Sequence, residues 1–198
     1  MGKSRTKIGK IVLADFLCVA AAIAVAVAAN GVGDALAGTR HVHSRVRLGV
    51  DLDDEGFRFV DPTSGHTSPV PFGSSSSGTQ NALTSAFARP GHRNHLSNCG
   101  AGPMDEIAWP NGLAILVANG RFVGWEARSR GVTTMDDIGV GTTRRMLERS
   151  AVIHVEQSTL GTQFTIGSSS QGIGGLLSGR SPTARITRLW AGVTCHFG

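Results

Sequence analysis

The 198-residue sequence has no tyrosine, and its only lysines are Lys3, Lys7 and Lys10. Charged residues make up only 17% of the chain, whereas apolar residues make up 40%. This composition excludes a disordered chain, which combines low hydrophobicity with high net charge. The 27 glycines follow no three-residue period, which excludes a collagen-like fibre. We therefore expect a globular chain with a packed core.

The net charge of +5 depends partly on the first residues. Residues 1–37 carry four basic and two acidic side chains, so the rest of the chain carries +3. All basic residues after this segment are arginines, and they are scattered along the sequence. Because nucleic-acid binding needs a concentrated basic patch, we expect a solvated arginine-rich surface and no nucleic-acid partner.

Residues 1–37 have the pattern of an export signal. A basic start is followed by an apolar stretch over 11–29, interrupted only by Asp15, and then by Ala35-Leu36-Ala37. Small residues at these positions favour cleavage after Ala37. The alternative is an uncleaved anchor, in which 11–29 holds the protein in the membrane. We expect an exported protein, periplasmic or secreted.

Cleavage would remove Cys18 and leave Cys99 and Cys195 as the only cysteines. An even number in an oxidising compartment favours a disulfide, so we predict a Cys99–Cys195 bond. Free thiols remain an alternative.

A second alternative for Cys99 is a metal site. The His-x2-His-x3-Cys spacing of His92, His95 and Cys99 would suit zinc, with Cys195 near the chain end as a further ligand. Because the spacing matches no standard zinc motif, we expect no metal and no other cofactor.

The strongest local signal is Asn119-Gly120 between two apolar runs, which predicts a central β-hairpin over 113–125. A short helix capped by Thr79 is predicted around Leu83, and a second after Thr142 or Thr143. Strand patterns follow each helix. We therefore predict an α+β fold of two tandem units, each a short helix followed by an antiparallel meander. The units span 55–130 and 131–198 and follow the signal segment and a polar linker over 38–54.

Four short motifs carry a resemblance to known exported proteins. They are Phe72-Gly73, the loop 99–103 (Cys-Gly-Ala-Gly-Pro), the run 120–125 (Gly-Arg-Phe-Val-Gly-Trp) and 191–195 (Ala-Gly-Val-Thr-Cys). The chain resembles uncharacterised exported bacterial proteins with repeats similar to those of β-lactamase-inhibitor-type proteins and the outer-membrane-assembly lipoprotein E family. The resemblance implies a non-enzymatic exported α+β domain. Since no lipidation motif is correctly placed, the chain departs from the lipoprotein family.

Enzyme motifs are absent from the sequence. The serine tracts 74–77 and 168–170 contain no Gly-x-Ser-x-Gly, and the glycine-rich segments lack the spacing of nucleotide-binding loops. Trp109, Trp125 and Trp190 could form a ligand platform, although core packing is the commoner role of such residues. We predict a non-catalytic binding or interaction domain of the cell envelope, with a protein or envelope ligand as partner. The alternatives are an exported hydrolase without a recognisable motif and a small His/Cys metal-binding protein.

Overall fold

A computed structural model describes residues 47–167 and 172–195. These residues contain twelve strands and two helices. The strands are β1 (Gly49–Asp53), β2 (Gly56–Val60), β3 (Thr67–Pro71), β4 (His92–Leu96), β5 (Met104–Ala108), β6 (Leu113–Ala118), β7 (Arg121–Ala127), β8 (Thr133–Thr134), β9 (Ile153–Ser158), β10 (Gly161–Ile166), β11 (Gly174–Leu177) and β12 (Ile186–Gly192). The helices are α1 (Ser76–Phe87), before β4, and α2 (Arg144–Ser150), before β9. The predicted export signal lies outside the described residues.

The strands form two sheets. The large sheet has eight antiparallel strands in the order β4-β5-β6-β7-β12-β11-β10-β9. The small sheet has the order β3-β2-β1-β8, with β8 parallel to β1. Neither described helix is long and apolar enough to cross a membrane.

The predicted hairpin is confirmed as β6 and β7. Asn119 and Gly120 both have positive φ, 49° and 72°, as a tight hairpin turn requires. Leu113 to Val117 are buried on both faces, because β6 lies between β5 and β7 in the middle of the large sheet.

The two helices begin in different ways, and only α2 has a side-chain cap at its start. The Thr143 hydroxyl accepts a hydrogen bond from the Met146 backbone N–H at 3.3 Å, which confirms the predicted start of α2. The first helix begins earlier than its predicted cap at Thr79, inside the serine tract, with Ser75 as the residue before it. It ends at Phe87 and is followed by the cap residue Ala88, whose φ of 52° is left-handed.

The core lies on one face of the large sheet. Phe57 of the small sheet, Leu83 of α1 and Leu147 of α2 are fully buried in the same cluster as Trp125. The Phe57 and Phe122 rings lie 5.4 Å apart, between the two sheets. Burial of these apolar side chains therefore stabilises the packing of both helices and the small sheet against the large sheet.

The predicted fold class, α+β with two tandem helix-plus-meander units, is wrong. Strand makes up 46% of the described residues and helix only 13%. Pairing of β7 with β12 joins strands of both predicted units in one sheet, and β1, placed in the predicted linker, pairs with β8 in the small sheet. The error arises because local patterns locate strands, whereas long-range packing decides which strands pair.

Two strands lie in segments whose sequence shows no strand pattern. β4 is an exposed edge strand with no apolar alternation, and β11 lies in the glycine-rich segment. In β11 the glycines are needed by their neighbours, because a Cβ at Gly174 would lie 2.5 Å from Trp190 Nε1 and one at Gly175 would collide with Phe164.

Candidate functional site

Charged residues occupy the face of the large sheet opposite the core. Side chains alternate along a strand, so Glu106 and Glu126 point away from the core residues Ile107 and Trp125. Both glutamates are nevertheless buried, with 6% and 3% of their surface exposed. A buried carboxylate needs a charged or hydrogen-bonding partner.

Two arginines supply these partners. Arg128 Nη2 donates to Glu106 and to Glu126, the latter at 2.5 Å. Arg188 Nε lies 2.9 Å from the second Glu126 oxygen. We call Glu106, Glu126, Arg128 and Arg188 the carboxylate cluster.

A small residue lies on the strand between the two glutamates of the cluster. Glu106 is on β5 and Glu126 on β7, with β6 between them. Glu126 pairs across the strands with Ala114 of β6, whose side chain is a single methyl group. Hydrogen bonding to Glu126 raises the pKa of Arg128 despite partial burial. The guanidinium therefore stays charged and links β5 to β7 through Glu106 and Glu126.

A group of sulfur atoms lies on the same side of the sheet. The Cys99 thiol donates to Met104 Sδ at 3.7 Å, and both residues are buried. Cys195, after β12, packs against the same cluster. We call Cys99, Met104 and Cys195 the sulfur cluster.

The two cysteines are thiols in the structure. Burial raises the pKa of Cys195 to about 11, and its hydrogen bond with Cys99 and the nearby charges of Glu106 and Glu126 act in the same direction. The structure thus places the two predicted disulfide partners together without joining them, and the disulfide stays a prediction.

A cleft of about 890 Å³ opens where the β1–β2 turn meets β12. The carboxylates of Asp54 and Glu55 stand exposed at its rim. Two half-buried aromatic residues, Phe72 and Trp190, are among its lining residues. We call it the Trp190 cleft.

Glycine shapes one wall of this cleft. Gly192 has a φ of 71°, and a Cβ there would collide with the Val123 carbonyl and lie 2.7 Å from the Phe72 ring. Its lack of a side chain lets Phe72 and the end of β12 come together. The cleft is therefore built into the packing of the two sheets.

The three tryptophans do not share a surface. Trp125 is fully buried, and Trp109 is 3% exposed and donates to the Arg89 carbonyl at 3.1 Å. Only Trp190 lines the Trp190 cleft. The three residues therefore do not form the ligand platform considered from the sequence, and only Trp190 lies at a candidate ligand site.

The histidines of the alternative metal site also diverge. His92 and His95 are three residues apart on β4, so their side chains leave opposite faces of the strand. His95 Nδ1 lies 2.8 Å from Asp105 at the exposed sheet edge, whereas Cys99 is buried in the sulfur cluster. Within the described residues, no three His, Cys, Asp or Glu side chains are grouped as metal ligands.

The first serine tract forms the start of α1. The Ser74 hydroxyl donates to the Pro71 carbonyl at 2.7 Å, and the Ser75 and Ser77 hydroxyls lie 3.1 Å apart. These hydroxyls therefore take part in local structure. The second tract lies outside the described residues, and the hydrolase alternative stays a prediction.

Sequence reasoning missed the carboxylate cluster. Its members are separated by up to 82 positions between Glu106 and Arg188, so no motif joins them. The available signal was Glu126, a charged residue between Trp125 and Ala127 in a strand whose other charged residue, Arg121, stands at its exposed start.

Neither a family model nor a curated protein matches the chain. Among solved structures, the chain is similar to the uncharacterized protein yfeY from Escherichia coli, with a TM-score of 0.43 and 10% identity. The match covers 58% of this chain and 88% of that one. Similarity at this level supports no functional argument, and the family resemblance expected from the sequence remains a prediction.

Proposed function

We propose that this protein is an exported, non-catalytic binding domain of the cell envelope that takes its ligand in the Trp190 cleft. The cleft is the observation that carries the proposal. Its volume of about 890 Å³ lies within the range of small-molecule sites, roughly 300–1,000 Å³. Export is supported by the pattern of residues 1–37.

The lining of the cleft favours a ligand that combines a positive charge with an apolar group. Asp54 and Glu55 place two exposed carboxylates at the rim of a protein with a net positive charge. Phe72 and Trp190 line the cleft, and aromatic rings, the indole especially, attract cations. A basic peptide segment has both properties.

Tryptophan fluorescence tests this proposal, because Trp190 is the one tryptophan that lines the cleft, whereas Trp109 and Trp125 are core residues. A short leucine–arginine peptide is titrated into the purified protein, and the matching leucine–glutamate peptide serves as the charge control. We expect a saturable change in fluorescence with the arginine peptide alone, and its loss in Trp190→Phe.

Substitution at the rim separates binding in the cleft from non-specific attraction. Asp54→Asn with Glu55→Gln is expected to weaken arginine-peptide binding at least tenfold. The matched control is Glu156→Gln on the edge strand β9, an exposed carboxylate outside the cleft. Equal losses in both variants, or equal binding of both peptides, would count against the proposal.

Export has its own test. Mass spectrometry of the protein recovered outside the cytoplasm is expected to find a chain that begins near Gly38. Recovery of the intact N-terminus would favour the membrane anchor instead.

A further inference from the structure

The sulfur cluster brings three soft donor atoms together from distant parts of the chain. Cys99 lies before β5, Met104 begins β5, and Cys195 follows β12. The Cys99 Sγ to Met104 Sδ distance is 3.7 Å, and Cys195 packs against the same cluster. Leu116 packs beside them, and Cys99 and Met104 are themselves buried. The donors are thus preassembled in a mostly apolar setting.

We propose that Cys99, Met104 and Cys195 bind one soft monovalent metal ion, of the Cu(I) or Ag(I) class. Thiolate and thioether ligands favour such ions over harder cations. Zinc sites are usually closed by four nitrogen, sulfur or oxygen ligands, and a thioether is a poor member of that set. This site is distinct from the His92/His95/Cys99 combination, whose members the structure separates.

Binding would exchange protons for metal. Each thiol gives up its S–H proton to solvent and forms a bond to the ion, so two protons leave as one cation enters, with no change in oxidation state. The resulting centre carries one net negative charge. Arg128 and Arg188 supply positive charge on this side of the sheet, although Glu106 and Glu126 offset it.

Silver titration provides the test. The full-length chain carrying Cys18→Ser is purified in detergent, reduced, freed of reductant under anaerobic conditions and shown to hold two titratable thiols. Silver nitrate is added in a chloride-free buffer, and heat, metal content and proton release are measured. Zinc nitrate is the comparison ion. We expect one silver ion per chain, release of two protons, and at least tenfold weaker zinc binding.

Methionine variants decide whether the thioether takes part. Met104→Leu preserves the size and apolar character of the side chain and leaves both thiols in place. The matched control is Met146→Leu, at an exposed methionine on α2. We expect Met104→Leu to raise the Kd for silver at least tenfold and Met146→Leu to change it less than twofold, with both variants melting as cooperatively as the parent.

Two results would overturn the proposal. One is the absence of saturable silver binding at one equivalent by the reduced chain. The other is an unchanged Kd in folded Met104→Leu, which would show that the thioether is not a ligand. Cys195→Ser is a further check, with loss of stoichiometric binding as the expected result.

Discussion

Trp125 Nε1 donates a hydrogen bond to the Asp53 carbonyl at 2.8 Å. Trp125 lies on β7 in the large sheet, and Asp53 ends β1 in the small sheet. This bond therefore ties the two sheets together across the core. The indole is fully buried, so its N–H has no access to water as a substitute.

Trp125→Phe is expected to destabilise the protein by about 3 kcal/mol. The change leaves the Asp53 carbonyl without this donor, which costs roughly 1–3 kcal/mol, and it also removes buried ring volume. Urea unfolding measures the loss. Trp190→Phe, at a half-buried cleft residue, is the control and should cost less. Equal losses would show that the link between the sheets contributes little.

Arg128→Met is expected to lower the free energy of unfolding by on the order of 3–5 kcal/mol, because it leaves two buried carboxylates without their shared partner. Arg93→Met is the matched control, since Arg93 forms an exposed pair with Asp105 at 2.7 Å. Such surface pairs contribute roughly 0–1 kcal/mol. If both variants unfold at the same urea concentration, the carboxylate cluster has no special structural role.

The sequence predicted the parts of the fold that local chemistry decides. The Asn119-Gly120 turn fixes the hairpin because both residues must adopt positive φ, and Thr143 fixes the start of α2 through its hydroxyl. The position of β4 was missed because an exposed edge strand needs no apolar alternation. β11 was missed because Gly174 and Gly175 accommodate rings from other strands, a requirement that no local pattern expresses.

The candidate site was harder to predict than the fold. The even number of cysteines predicted a Cys99–Cys195 disulfide; the structure brings both thiols into one cluster, and the bond itself stays a prediction. The role of Met104 depends on the path of the chain between Cys99 and β5, which spacing alone does not define. The sequence does not show that Trp190 lines a cleft whereas Trp109 and Trp125 are core residues, because this difference depends on how the strands pack.

Asp51→Asn is expected to raise the melting temperature at pH 7. Partial burial, with repulsion from Asp137 as a smaller cause, raises the pKa of Asp51 above its ordinary 3.8. A raised carboxyl pKa means that the ionised form destabilises the fold at neutral pH, and that protonation relieves this cost as the pH falls toward 3.8. The gain in the variant should therefore shrink as the pH is lowered through that region.

Asp61→Ala is expected to change the melting temperature at pH 7 in the opposite direction, by lowering it. Backbone N–H groups of Thr63 and Ser64 hydrogen-bond to Asp61 and lower its pKa. Ionised Asp61 therefore stabilises the fold above pH 3.8, and the variant should melt below the parent at pH 7, by a margin that narrows in acid. A uniform shift of both variants at every pH would contradict these assignments.

The predicted Cys99–Cys195 disulfide is tested by counting thiols. In protein recovered from an oxidising compartment we expect no titratable thiol, and two after reduction with dithiothreitol. Closing a loop of about a hundred residues should add roughly 2–5 kcal/mol of stability. The bond would use the same sulfurs as the proposed metal site, so silver binding should require the reduced form. Two free thiols in the unreduced exported protein would refute the disulfide.

Gly124→Ala is expected to lower the free energy of unfolding by about 1–3 kcal/mol, the usual effect of overpacking a buried position. A Cβ at Gly124 would collide with the Val193 carbonyl, and the Ala191 carbonyl would be 3.0 Å away. Both carbonyls belong to the backbone, so the end of β12 and the residues after it would have to move away from β7.

The matched control for this change is Gly179→Ala, where a Cβ would meet no atom within 4 Å. It should leave the melting temperature unchanged or slightly raised, because alanine restricts the unfolded chain. The displaced segment in Gly124→Ala carries Cys195, so this variant should also bind silver more weakly than Gly179→Ala. Identical melting temperatures and silver affinities in the two variants would mean that close approach of β7 to the chain end contributes neither to stability nor to the sulfur cluster.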